Sequence, residues 1–225
     1  MRIVVLTGAG ISAESGLRTF RAADGLWEDH RIEDVATPEA YQRDPALVHR
    51  FYNARRKAAA EASPNAAHHA LADLAGRHVL TLITQNVDDL HERGGSPEVI
   101  HMHGALNSAL CANCGDRWQS PLETDEHMPC PSCGKAAVRP DIVWFGEIPY
   151  HMNQIWAVLE QAEIFTAIGT SGNVYPAAGF AQHARRNGAE CHELNLDRSA
   201  ISRDFHHHLI GPATKIVPEW VAGLD

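Results

Sequence analysis

The chain has 225 residues, 44% hydrophobic and 21% charged, enough for one large domain or a domain with a smaller module. Folding at this length buries roughly 70% of the unfolded chain's surface, so a core can form without covalent staples. A formal charge of −9, with no basic run longer than Arg55-Arg56-Lys57, argues against direct nucleic-acid binding. No stretch reaches the length of a membrane span and no signal peptide is visible, so the chain is read as cytoplasmic.

In chain order, residues 2–7 form a short apolar, β-branched run that reads as a buried strand. Gly8-Ala9-Gly10 then makes a tight turn, and a helix is expected to open over residues 11–16. Residues 18–35 read as loop. Residues 38–62 read as helix, with Pro38 in the first turn and Leu47, Phe51 and Ala54 at helical spacing; Ser63-Pro64-Asn65 stops it, and 66–74 reads as the next helix. Strands are predicted at 79–84 and 98–102, the first ending at Gln85-Asn86-Val87-Asp88 and the second at His103-Gly104. Residues 105–140 lose periodicity and carry two C-x-x-C pairs. A short strand at 142–145, a helix at 154–160, a strand at 164–168, a helix at 175–187, a strand at 191–196 and a tail helix at 219–224 complete the pattern.

Strands alternating with helices predict an α/β fold, a Rossmann-like parallel sheet covered on both faces, with a smaller zinc-binding and helical module. The expected division assigns 1–28, 66–104 and 141–225 to the larger, Rossmann-like domain, and 29–65 with 105–140 to the small one, which has a helical and a cysteine-bearing part. In such sheets ligands sit beyond the carboxyl ends of the strands. Small or polar groups occur at five of them: Gly8-Ala9-Gly10, Gln85-Asn86, His103, Gly169-Thr170-Ser171 and Asn195-Leu196-Asp197.

Cys111, Cys114, Cys130 and Cys133 supply four thiolates, and in a chain without an export signal metal is favoured over disulfides. Four ligands fill a tetrahedral zinc site, leaving no position for water, so one structural zinc ion is expected. Cys191 lies in a predicted strand and reads as a buried apolar residue. Taken alone, the glycine loop fits a phosphate at a helix start or a purely structural turn; it lacks the third glycine of the usual dinucleotide fingerprint. His103 alone is equally a turn histidine or a proton-transfer group.

The run from Gly8 to Arg21, together with Thr84-Gln85-Asn86-Val87-Asp88-Asp89-Leu90-His91, His103-Gly104 and the paired cysteines, resembles the sirtuin family over essentially the whole chain. The resemblance implies that NAD is consumed to remove acyl groups from protein lysines, giving nicotinamide, free lysine and O-acyl-ADP-ribose. It makes His103 the general base on the nicotinamide ribose; His101, two residues earlier, is the less favoured base. It places Gly8, Ala9, Gly10, Ser12, Glu14, Phe20, Arg21, Trp27, Gln85, Asn86, Asp88, Gly169, Thr170, Ser171, Asn195, Leu196, Asp197 and Ala213 at the cofactor. Val143, Phe145 and Gly146 fall beside the acyl-lysine channel.

Tyr52 and Arg55 share a helix face, where an aromatic beside a surface arginine is the ordinary reading. In this position they resemble the pair with which class III sirtuins take succinyl and malonyl lysine, and Ala23 would leave room for the longer chain. Arg55 could then meet a carboxylate bidentately. The departure Leu17-Arg18-Thr19 is similar to bacterial members that are both deacetylases and desuccinylases. Acylated-lysine proteins are the implied partners, and a monomer is the default. The alternatives are a deacetylase with minor desuccinylase activity, a mono-ADP-ribosyltransferase, and a zinc-bearing binding module without catalysis.

Overall fold

In a computed structural model describing residues 1–18, 26–27 (main chain only) and 30–224, β1 (Arg2–Thr7) lies at the centre of a parallel sheet because every residue from Ile3 to Thr7 is buried. Alternate residues face opposite sides, as strand geometry requires. Ile3 and Val5 join one apolar cluster, Val4 and Leu6 the other. Each such side chain is worth about 1.5–3 kcal/mol when fully buried. The strand thus anchors both cores at once.

Among the described residues six strands make the sheet, as many as the sequence pattern predicts, but the strand expected at 142–145 is not among them and an unpredicted one, His207–Ile210, takes its place. β1 is followed by the short pair β2 (Leu26–Trp27) and β3 (His30–Arg31), then by α1 (Ile32–Val35), α2 (Pro38–Arg43), α3 (Pro45–Glu61) and α4 (Ala66–Ala75). β4 (Val79–Thr84), α5 (Leu90–Arg93) and β5 (Ile100–His101) follow. Three strands, β6 (Gly104–Cys111), β7 (Arg117–Gln119) and β8 (Val138–Ile142), form a separate antiparallel sheet. The main sheet resumes with α6 (Met152–Leu159), β9 (Ile164–Ile168), α7 (Phe180–Arg186), β10 (Glu190–Asn195), β11 (His207–Ile210) and α8 (Ala213–Ala222). Its order is β11-β10-β9-β1-β4-β5, all parallel. This is the doubly wound Rossmann order, whose chain direction reverses between β1 and β9. α6 and α7 cover one face with Ile155, Leu159 and Phe180; α4 and α8 cover the other with Leu71, Leu74, Val217 and Trp220.

Several boundaries differ from the sequence pattern. The helix expected at 11–16 is a pair of 3-10 turns, Ala9–Ile11 and Ala13–Ser15, the second closed by Gly16 at φ 89. The single helix expected at 38–62 is two, because Asp44 precedes Pro45 and is driven to an extended φ of −146. Thr37 and Asp44 cap the two pieces, accepting from the Ala40 and Leu47 amides at 3.0 and 2.9 Å. The segment after Ile142 is a turn rather than a strand. β11 begins at His207-His208, just after His206, a polar-looking run that hides an edge strand, and α8 starts at Ala213, six residues before the expected 219.

The α1–α3 segment and the antiparallel sheet share a third core of Val35, Ala40, Val48, Phe51, Tyr52, Leu106, Ile142 and Trp144. Beyond it lies a cluster of only four buried residues, Ala109, Cys111, Cys130 and Val138. No helix among the described residues is long and apolar enough to cross a membrane.

Candidate active site at the strand ends

Because the sheet is parallel, the carboxyl ends of β1, β4, β5, β9 and β10 open on one edge, bringing together the polar groups that follow them. At the switch point the loop after β1 lies directly on the loop after β9. The Gly8 amide donates to the Ile168 carbonyl and the Gly10 amide to Gly169, both at 2.9 Å. A Cβ on Gly10 would sit 2.6 Å from Gly169 Cα, and one on Gly169 2.5 Å from the Ile11 nitrogen. Here the glycines let two backbones touch, a requirement separate from any phosphate.

Ser12 is buried and its hydroxyl has a determined orientation. It accepts from Asn86 Nδ2 at 3.1 Å and donates to Asp88 Oδ2 at 3.3 Å. His68 Nδ1 accepts from the Asn65 amide, so the ring hydrogen sits on Nε2, 3.5 Å from Ser12 Oγ. Beneath, Thr7 donates to Thr84, which also accepts from the Asn86 amide at 3.0 Å, and His91 Nε2 gives its hydrogen to Thr7. Burial pushes His68 down to about 4 and His91 well below the usual histidine range, so both rings are neutral at pH 7. Burial also raises Asp88, partly opposed by hydrogen bonds from the Leu90 amide and Ser12 and by the charges of His101 and Arg55. Asn65 and His68 form a capping box at the start of α4, while Asn65 Nδ2 also reaches the Ile11 carbonyl at 2.8 Å. The sequence signal was present in Asn65-Ala66-Ala67-His68, which reads only as a helix stop unless the reciprocal cap is recognised.

His103 follows β5 directly. Its Nδ1 lies 3.2 Å from the Gln85 carbonyl, which can only accept, so Nδ1 carries the hydrogen and Nε2 presents a lone pair. Burial lowers its pKa against the opposing pull of Gln85, keeping the ring neutral and able to take a proton. His101 differs: Glu92 holds its Nε2 at 2.7 Å, and this bond and charge outweigh burial and raise the pKa. Its outer nitrogen is therefore occupied by a carboxylate.

The remaining expected contacts divide by geometry. Asn195 clamps the loop after β9, accepting from the Thr170 amide at 3.0 Å and donating to the Thr170 carbonyl at 3.1 Å. It is steadied by Glu193, a fully buried carboxylate that also accepts from Ser199, Ser202 and His208. Burial would raise Glu193, but those donors together bring it below the usual carboxylate range. Glu14 spans the chain to cap α8, accepting from the Thr214 amide at 2.9 Å and hydroxyl at 2.7 Å, beside Ala213. Ser171, Leu196 and Asp197 are exposed on the same edge. Phe20, Arg21, Ala23 and the side chain of Trp27 lie outside the described residues.

Val143 joins His103 to the segment that follows β8, its amide donating to the His103 carbonyl at 2.9 Å, while Phe145 donates to Ala36 at 3.0 Å. Phe145 and Ile148 are exposed, and Gly146 turns the chain at φ 92. Tyr52 has no accessible surface, and its hydroxyl accepts from Trp144 Nε1 at 3.0 Å. The charge of Arg55, one helical turn away, is felt by both Tyr52 and Asp88.

The four cysteines converge as a cage apart from this edge. Cys111 and Cys133 sulfurs are 3.7 Å apart, as are those of Cys114 and Cys130, and all four lie within 4.8 Å. A tetrahedral metal with sulfur at about 2.3 Å requires sulfurs about 3.8 Å apart. The two pairs repeat one turn, Gly115 donating to Cys111 and Gly134 to Cys130 at 2.9 Å, with φ of 75 and 69. The donor set and geometry fit a structural metal. A second group, Glu190, His192 and His207, sits at the opposite end of the sheet. There Trp220 donates to His192 Nδ1 at 2.8 Å, leaving the hydrogen on Nε2, so that nitrogen is not a ready metal ligand.

The Sir2 family profile matches residues 8–176. An NAD-dependent protein deacylase of Bdellovibrio bacteriovorus is 54% identical over 97% of this chain and 94% of its own. One of Escherichia coli K12 is 53% identical over 99% of this chain and 82% of its own. A Sir2 homologue solved as an NAD complex superposes with a TM-score of 0.90 at 39% identity, covering 99% of this chain and 88% of that one.

Proposed function

Since the chain belongs to the Sir2 family, we propose that it is an NAD-dependent protein-lysine deacylase whose pocket takes succinyl and malonyl as well as acetyl groups. The observation that carries the reading is His103: a neutral ring, its tautomer set by Gln85, beside buried Asn86 and Asp88. NAD, when bound, would supply the ribose carbon that the carbonyl oxygen of the acyl-lysine attacks as nicotinamide leaves. His103 Nε2 takes the proton from a ribose hydroxyl as that oxygen attacks the acyl carbon; Asn86 and Asp88 hold the nicotinamide end, and Ser12 fixes both. The Gly8–Gly10 and Gly169–Ser171 loops receive the phosphates and adenosine, with Asn195 and Glu14 acting mainly by holding those loops. The four thiolates hold zinc. Acyl-lysine protein substrates lie along Val143, Phe145 and Gly146.

The acidic-acyl part of the reading rests on Tyr52 and Arg55, a hydroxyl and a guanidinium one turn apart on α3. Mass spectrometry of matched acetyl, succinyl and malonyl peptides, with and without NAD, tests it. Arg55→Met is expected to lower kcat/KM for succinyl peptide by roughly 10- to 100-fold, the worth of a charge-assisted hydrogen bond, and to spare acetyl peptide by comparison. Equal loss of both would remove the acidic-pocket assignment. His103→Tyr is expected to abolish turnover of every acyl group with metal content intact; retained turnover would remove the base.

A further inference from the structure

Trp144 stands between the channel segment and the acyl-reading helix, and it is held more tightly than a core ring needs. The guanidinium of Arg139 lies 3.5 Å over its ring. Arg139 is itself fixed by two bonds to Glu147, at 2.7 and 2.9 Å, and one to the Ile142 carbonyl at 2.8 Å. Glu147 accepts from the Trp144 amide at 2.8 Å, and Tyr41 packs beside the ring at 5.3 Å. The indole is 2% exposed, so its N–H needs an acceptor; it finds Tyr52 Oη at 3.0 Å rather than a backbone carbonyl.

An indole N–H only donates. Because the Tyr52 oxygen accepts from it, the phenolic hydrogen is directed away from the indole. A core role would require only the ring, which phenylalanine could supply in large part. We propose that Trp144 is a specificity-positioning residue, its indole N–H orienting the Tyr52 hydroxyl so that the phenolic hydrogen is given to the terminal carboxylate of an acidic acyl chain. This rests on the acidic-acyl reading of Tyr52 and Arg55. It makes one ring serve both ends of the acyl-lysine, since Val143 and Phe145 on either side are bonded to His103 and Ala36.

The test is a double-mutant cycle of Trp144→Phe and Tyr52→Phe, read as the ratio of kcat/KM for succinyl over acetyl peptide. Metal content and melting temperature are followed to verify folding. Trp144→Phe should lower the ratio about three- to tenfold, the worth of one neutral hydrogen bond, through KM for the succinyl peptide more than kcat. In a Tyr52→Phe background it should lower the ratio no further. Arg139→Gln, which loosens the ring but keeps the N–H, should give a smaller drop. A ratio unchanged by Trp144→Phe, or effects that simply multiply with Tyr52→Phe, would overturn the positioning role while leaving the acidic pocket standing. If Arg55→Met and Tyr52→Phe themselves leave the ratio unaltered, the underlying reading fails instead.

Discussion

The parallel sheet and the cysteine module are stabilised by different physics. β1 alone inserts Ile3, Val4, Val5 and Leu6 into two cores, each continued by helices on its own face. The module's innermost cluster holds four buried residues, and two of them, Cys111 and Cys130, belong to the four-cysteine cage proposed to hold the metal. Removing the metal therefore removes part of what that region has for a core, whereas the sheet keeps all of its own. The two regions meet beside His103: β6 begins at Gly104, immediately after it, Val143 just beyond β8 binds the His103 carbonyl, and the Leu106 amide of β6 donates to Val87 after β4. A centre far from the chemistry thus fixes the backbone that carries the proposed base.

The comparison is broken most directly at the metal. Cys130→Ser, or chelation, is expected to unfold residues 105–140 and lower turnover by about two orders of magnitude or more, since structural zinc contributes of order 10 kcal/mol in small sites. Hydrogen exchange should show the β1 and β9 amides still protected. Full turnover in the metal-free protein would show that module and base are uncoupled.

The junction itself gives the next largest effect. A Cβ on Gly104, at φ 81, would lie 2.0 Å from the Asp141 carbonyl oxygen, so Gly104→Ala must push β6 from β8. Destabilisation of about 3 kcal/mol is expected from strain at such a φ with the added overlap, measured by urea unfolding. Wild-type stability would place the strain elsewhere.

Acid sharpens the sheet side. Between pH 6.5 and about 4 an unfolded His68 holds a proton that the folded ring refuses, so its share of stability is complete above pH 6.5 and lost as pH falls. At pH 5 this costs about 2 kcal/mol for His68 alone, at 1.36 kcal/mol per pH unit, with His91 acting in the same direction. His68→Gln should flatten urea midpoints between pH 7 and 5; an unaltered slope would assign the loss to other groups.

Much of this architecture was legible in the sequence because its signals are local. Alternating apolar runs mark buried strands, and polar residues at the ends of strands that must be parallel fall on one edge. Two C-x-x-C pairs announce a metal, and the motifs from Gly8 onward carry the family. The tertiary structure decided the rest. β11 was hidden because a four-residue edge strand beginning in two histidines has no apolar signature, and its place comes only from pairing with β10. Asp44-Pro45 divides a helix that periodicity alone would continue. Glu14 caps a helix 200 residues away, Asn195 holds Thr170, and Trp144 reaches Tyr52, contacts no local window contains. The glycines of the first loop prove to be demanded also by Gly169, because two backbones cross there. Residue type and period report whether a side chain is buried; which distant group satisfies it is settled only when the chain has folded.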